Sequence, residues 1–230
     1  MTGPNALKRT TGRDITDIEV VLPTHSHADH VGGLECMALK NRYVGIPFKS
    51  SPKLKMVINE EYQRVLWDYT LRGGLEWNED GPDKGQRLQF CDFFDIIRPV
   101  WKTQQPREVW AVDVGGIHLE IFRTKHIPDN SSGLQDSFLS FGMTVDDRVF
   151  ISGDTRFDQE LVDLYSSAEW MFHDVQFFPG SVHAHIEDLK TLTESVRKKM
   201  LLYHYSDDWE SIDISNFAGW TKPGIGYAFE

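Results

Sequence analysis

The chain has 230 residues, 40% hydrophobic and 26% charged, the balance of an ordinary globular protein long enough to bury a sizeable core. A formal net charge of −11 argues against broad, sequence-independent binding to nucleic acid, which rests on neutralising phosphates with lysine and arginine. No apolar run approaches the roughly 20 residues of a membrane span, and Cys36 and Cys91 are too few for a disulfide framework.

The start has neither the basic segment nor the apolar segment of a secretory leader, so a reducing cytoplasm is the expected setting. Residues 18–23 are an apolar run that reads as a buried strand, and they lead directly into "THSHADHVGG" at 24–33. The spacing predicts a helix over 30–44, with Leu34, Met37 and Leu39 among its apolar positions, and a strand over 53–59. A second helix is predicted over 60–71, placing Tyr62, Val65, Leu66 and Tyr69 on one face. Residues 72–87, rich in Gly, Asp and Asn, read as a loop.

Alternation predicts a half-buried strand over 117–126, with His118 facing solvent beside Glu120. Residues 137–145 and 148–154 flank Asp146-Asp147 as a β-hairpin. A helix over 158–168, a short strand over 169–174, a helix over 186–200 and a strand over 201–205 complete the pattern. There is no internal repeat. Strands in clusters with helices between them suit an α/β chain with two sheets and helices outside, an αββα sandwich. Residues 1–230 read as one domain, with an insertion or cap region over about 45–110.

Imidazole and carboxylate are the common nitrogen and oxygen ligands of zinc and related divalent ions. The run His25-x-His27-x-Asp29-His30 supplies four of them at a strand end that turns into a helix. Two adjacent metals need about seven ligands if each keeps an open position. Later strand ends offer three more, in His126, Asp154 and His204.

The segments "THSHADHVGGLE", "KHIPD", "ISGDTRFD" and "YHYSD" resemble, in that chain order, the metallo-β-lactamase-fold hydrolases. The resemblance implies His25, His27 and His126 on one metal, Asp29, His30 and His204 on the other, and Asp154 bridging both. It also implies two divalent ions, with zinc as the first expectation and manganese or iron left open by all-His/Asp ligation. "MFHDVQFF" and "VHAHIEDLKTL" are similar to the two catalytic loops of the ribonuclease Z-like branch. There a carboxylate orients a histidine that protonates the departing oxygen. Carried over, Asp174 is the orienting carboxylate and His183 the general acid, with His185 as the alternative donor. Asp29 completes the implied catalytic set.

Transfer-RNA-processing members of that branch carry a long arm between the third histidine and the bridging aspartate, and the interval from His126 to Asp154 has no room for one. The extra sequence lies earlier, in "VLWDYTLRGGLEW" and "CDFFDII". With the later motifs these resemble the anti-Pycsar phosphodiesterases, which open 3′,5′-cyclic mononucleotides, destroy a messenger of antiphage defence and act as homodimers. The resemblance therefore implies a small anionic cyclic nucleotide as substrate, a second copy of the chain as partner, and no extended nucleic-acid surface. Members normally open with strands ending in Asp-x-Gly, and here Met1 stands in the aspartate's place, so the first strands are expected to be missing. That shortening keeps open a weak or inactive module that sequesters a nucleotide. Other hydrolases of the fold, a ribonuclease Z-like nuclease, a lactonase or a thioesterase, are the further alternatives.

Overall fold

The computed structural model describes residues 3–80, 83, 85–128, 130–180 and 182–229, so Met1 and the Asp129 of "KHIPD" lie outside the described residues. The chain divides into two compact units, Met1–Pro99 with Pro223–Glu230, and Val100–Lys222.

The first unit holds a three-stranded parallel sheet of β1 (Val20–Val21), β2 (Lys55–Val57) and β3 (Asp95–Ile97), in that order. The apolar run at 18–23 is strand at only two of its residues. Asp14 caps a short turn before it, accepting from the Thr16 amide while Asp17 accepts from the Asp14 amide. The helix predicted over 30–44 is broken instead into Ala28–Val31 and Leu34–Lys40, because Gly32-Gly33 interrupts the apolar period. It then widens into a π turn over Asn41–Gly45.

The helix predicted over 60–71 is α-helical over Glu60–Leu66, π over Trp67–Leu71 and α-helical again over Arg72–Leu75. A π turn inserts one residue, so the buried face runs Leu66, Leu71, Leu75, at spacings of five and then four. Tyr69, expected on the inner face, is therefore 85% exposed. The start of the predicted 72–87 loop is likewise the last turn of this helix.

The second unit is an eight-stranded sheet in the order β11-β10-β9-β8-β7-β6-β5-β4. Its strands are β4 (Val100–Thr103), β5 (Val109–Val114), β6 (Ile117–Arg123), β7 (Phe141–Val145), β8 (Val149–Ile151), β9 (Trp170–Asp174), β10 (Met200–Tyr203) and β11 (Gly219–Trp220). The predicted hairpin is β7–β8, and Asp146 and Asp147 both take positive φ, 51° and 55°, as a two-residue primed turn requires. His118 on β6 is partly exposed and hydrogen-bonded to Asp113 at 2.7 Å.

The core beneath this sheet includes Phe122, Phe150, Met171, Leu189 and Leu202, each fully buried, with Phe122, Phe150 and Tyr165 stacked ring on ring. A helix over Gln159–Leu164 connects β8 to β9. The helix predicted over 186–200 is two short ones, Ile186–Lys190 and Glu194–Arg197, where Thr191 and Thr193 favour turn and cap over helix interior.

The direction of the strands decides where the chemistry sits. β6 and β8 are both antiparallel to β7 and so run the same way, and β9 and β10 run parallel to β8. All four strands end at the same side of the sheet. His126 lies three residues past β6, Asp154 three past β8, Asp174 closes β9 and His204 follows β10. Loops at the carboxyl ends of a sheet are the usual place for a ligand.

Candidate metal centre

In the second unit the strand ends bring His126, Asp154, Asp174, His183 and His204 together. Nε2 of His126 and Nε2 of His204 face the same Asp154 oxygen, Oδ2, at 4.0 and 3.4 Å. The His183 ring sits 4.9 Å from that of His126 and is stacked 4.3 Å from that of His204. His126 is fully buried and its Nδ1 donates to the Val182 carbonyl at 2.9 Å. A carbonyl only accepts, so this bond fixes the tautomer and leaves the lone pair on Nε2, the atom turned to Asp154.

Asp154 is held from its backbone. Its carbonyl accepts hydroxyl hydrogen bonds from Thr124 at 3.0 Å and Ser140 at 3.2 Å. The preceding Gly153 has φ +62°, and a Cβ there would lie 2.2 Å from the Phe141 carbonyl oxygen. His204 also takes a left-handed backbone, φ 63°, uncommon for a residue with a side chain and a mark of a constrained position.

Asp174 is completely buried. Its Oδ2 accepts from His183 Nδ1 at 2.9 Å and from the Thr155 amide at 3.1 Å. Its Oδ1 lies 3.1 Å from His173 Nδ1 and accepts from Ser152 Oγ at 3.4 Å. Burial pushes this carboxyl up, but the bonds from His173 and His183 outweigh it and hold the group below the usual carboxylate range. An ionised Asp174 therefore locks the proton of His183 on Nδ1. Among the described residues His185 makes no hydrogen bond to this pair; it stands at the position before the helix that starts at Ile186, without a side-chain capping bond.

In the first unit the turn after β1 gathers His25, His27 and His30. The Thr24 hydroxyl lies 3.2 Å from Nδ1 of both His25 and His30, and with one proton it donates to one and accepts from the other. That turns the Nε2 atoms away from Thr24: His25 Nε2 lies 3.0 Å from His27 Nδ1, and His30 Nε2 3.5 Å from Asp29 Oδ2. Ser26, between the first two histidines, donates to the buried Tyr62 hydroxyl at 3.3 Å.

The donors fit divalent ions. Neighbouring ligand atoms around a tetrahedral zinc stand about 3.3 Å apart, close to the separations within each set. All donors are imidazole nitrogens or carboxylate oxygens, which suit zinc, manganese or iron. By contrast, a surface cavity of about 430 Å³ between Gln104–Pro106 and Ser132–Asp136 is lined by none of the seven expected ligands.

A family profile described as "Anti-Pycsar protein Apyc1" matches residues 1–224. The chain belongs to this family. Two relatives of the same description are 37% identical over 210 residues in Paenibacillus harenae, covering 90% of this chain and 76% of the relative, and 32% identical over 198 residues in Bacillus phage BSP38, covering 85% and 72%. Among solved structures, the metallo-β-lactamase-fold protein YhfI from Bacillus subtilis aligns with a TM-score of 0.55 at 12% identity, over 92% of this chain and 78% of that one. The short form of human tRNase Z gives the same TM-score at 17% identity, over 90% and 80%. The fold is thus the metallo-β-lactamase fold.

Sequence reasoning on this anti-Pycsar family member missed the residues that act at one remove. Thr24, Val182, Ser152, Thr155 and His173 orient the histidines or Asp174. Most do so through a backbone group or a lone hydroxyl, which no residue pattern marks. His173 is fully buried, and its place beside Asp174 in the sequence was the available signal.

Proposed function

We propose that the protein is a binuclear metal-dependent phosphodiesterase that hydrolyses 3′,5′-cyclic nucleoside monophosphates to linear nucleotides and so removes the messenger of Pycsar-type antiphage signalling. Membership of the anti-Pycsar Apyc1 family supports the biological setting. The Asp174–His183 pair, at 2.9 Å, is the observation that carries the reaction class. In this reading His25, His27 and His126 hold one divalent ion, Asp29, His30 and His204 hold a second, and Asp154 is shared. Divalent ions bound there supply activated water at neutral pH and stabilise charge on the non-bridging phosphate oxygens.

The chain's own groups do the rest. An alkoxide leaving from phosphorus is a poor leaving group without a proton, whereas a thiolate leaving from a thioester needs far less help. With Nδ1 of His183 committed to Asp174, the proton for the leaving oxygen comes from Nε2. The buried carboxylate stabilises the imidazolium form that donates it. A pure sequestering module has no use for such a donor. The same reading makes the protein a cytoplasmic homodimer. Among the described residues no helix is long and apolar enough to cross a membrane.

The test is to incubate metal-loaded protein with cyclic CMP, UMP, AMP and GMP and to look for linear nucleotide. Turnover of at least one is expected. His183→Ala should lower it by roughly a hundredfold or more while leaving bound metal unchanged. Failure on all four alongside turnover of a lactone or thioester would reject the reading. Tight binding without product would favour sequestration.

A further inference from the structure

Arg107 lies just before β5, its side chain is 0% exposed, and its Nε makes no hydrogen bond, a state of Nε that it shares with Arg123 and Arg197. A buried guanidinium with an unsatisfied N–H is costly, and simple packing would be served better by an apolar residue.

Its other nitrogens are all in use. Nη1 donates to the Arg123 carbonyl at the end of β6, at 2.9 Å, and Nη2 donates to Asp158 Oδ2 at 3.1 Å. Asp158 is buried and caps the helix that follows β8, accepting from the Leu161 amide. The same Oδ2 lies 3.1 Å from Lys125 Nζ. The two chain segments so joined, 123–126 and 154–158, are also zipped by their backbones: the Lys125 carbonyl accepts from the Arg156 amide at 2.7 Å and from Thr155 Oγ1 at 3.1 Å. One segment ends in His126 and the other begins with Asp154.

We infer that Arg107 and Asp158 are positioning residues, whose buried ion pair sets the spacing between the His126 and Asp154 segments and thereby the metal affinity of the site. This rests on the metal-dependent reading above. Neither residue touches the ligand atoms; both act through the backbone that carries them. Loss of an outer group that orients a metal ligand typically costs ten- to a hundredfold in affinity.

The discriminating variant is the double change Arg107→Met with Asp158→Asn. It removes both charges at nearly constant volume, which a buried pair tolerates well, and asparagine still caps the helix. Zinc affinity is measured by competition with a chromophoric chelator, and Tm is measured in parallel on the metal-free protein. The expected result is a Tm within a few degrees of wild type and zinc affinity weaker by roughly tenfold or more. Unchanged affinity in the folded double variant, beside a wild type that binds zinc, overturns the inference and leaves the metal reading standing. A wild type that binds no zinc overturns both. Should the double variant fail to fold, Lys125→Met, at a partly exposed position, replaces it. A weakened affinity there supports the tie, and an unaltered one overturns it.

Discussion

Gly153 and His204 sit beside the same carboxylate and share a left-handed backbone, for opposite reasons. At Gly153 no side chain fits, because a Cβ would lie 2.2 Å from the Phe141 carbonyl oxygen. Gly153→Ala should cost at least about 2 kcal/mol through backbone strain and clash together, read as a lowered Tm, with bound metal falling because Asp154 is displaced. His204, its ring stacked on that of His183, holds a φ of 63° that is strained for a residue with a side chain. His204→Gly should leave the metal-free protein at or above the wild-type Tm and weaken metal binding. A large drop in metal-free Tm would instead mean that His204 is there for packing.

The β7–β8 hairpin turns on two aspartates where the primed turn favours glycine at the second place. Asp147→Gly should therefore raise stability by about 0.5 kcal/mol, seen as a small rise in Tm. The hairpin was legible because its signal is local: two alternating runs around a pair of turn residues. The clustering of the candidate ligands was legible for a similar reason, since a group of histidines and aspartate after an apolar run has few purely structural explanations. The helix over 60–75 was not. Its residues fit a regular period that puts Tyr69 inside, and only the inserted π turn carries burial from Leu66 to Leu71 and leaves Tyr69 outside. Periodicity cannot register an insertion that packing selects. The break at Gly32-Gly33 was visible in the sequence, yet the apolar positions beyond it suggested continuity. The orienting contacts of Val182 and Thr155 are made by backbone groups, which are the same at every residue and so leave no trace in a sequence.

At the scale of the whole molecule, the buried pair of Arg107 and Asp158 links stability to pH. Burial pushes the Asp158 carboxyl up, but the Arg107 guanidinium and Lys125 hold it below its ordinary value of 3.8. A depressed carboxylate contributes stability that is fully present above that ordinary value and is lost as pH falls through the folded-state value. Asp158→Asn alone removes the buried partner, leaves the guanidinium only the exposed Glu160 carboxylate 3.6 Å away, and should cost about 3 kcal/mol at pH 7. The gap in Tm between this variant and wild type should close as pH falls below 4, and a gap independent of pH would contradict the pairing. The larger claim is that seven side chains from turns and strand ends hold two divalent ions for hydrolysis. Zinc bound per chain, counted by titration of the metal-free protein and confirmed by elemental analysis, tests it most directly. Two equivalents are expected in the wild type, and fewer in Asp154→Ala. A folded wild-type chain that takes up no zinc, manganese or iron would contradict it.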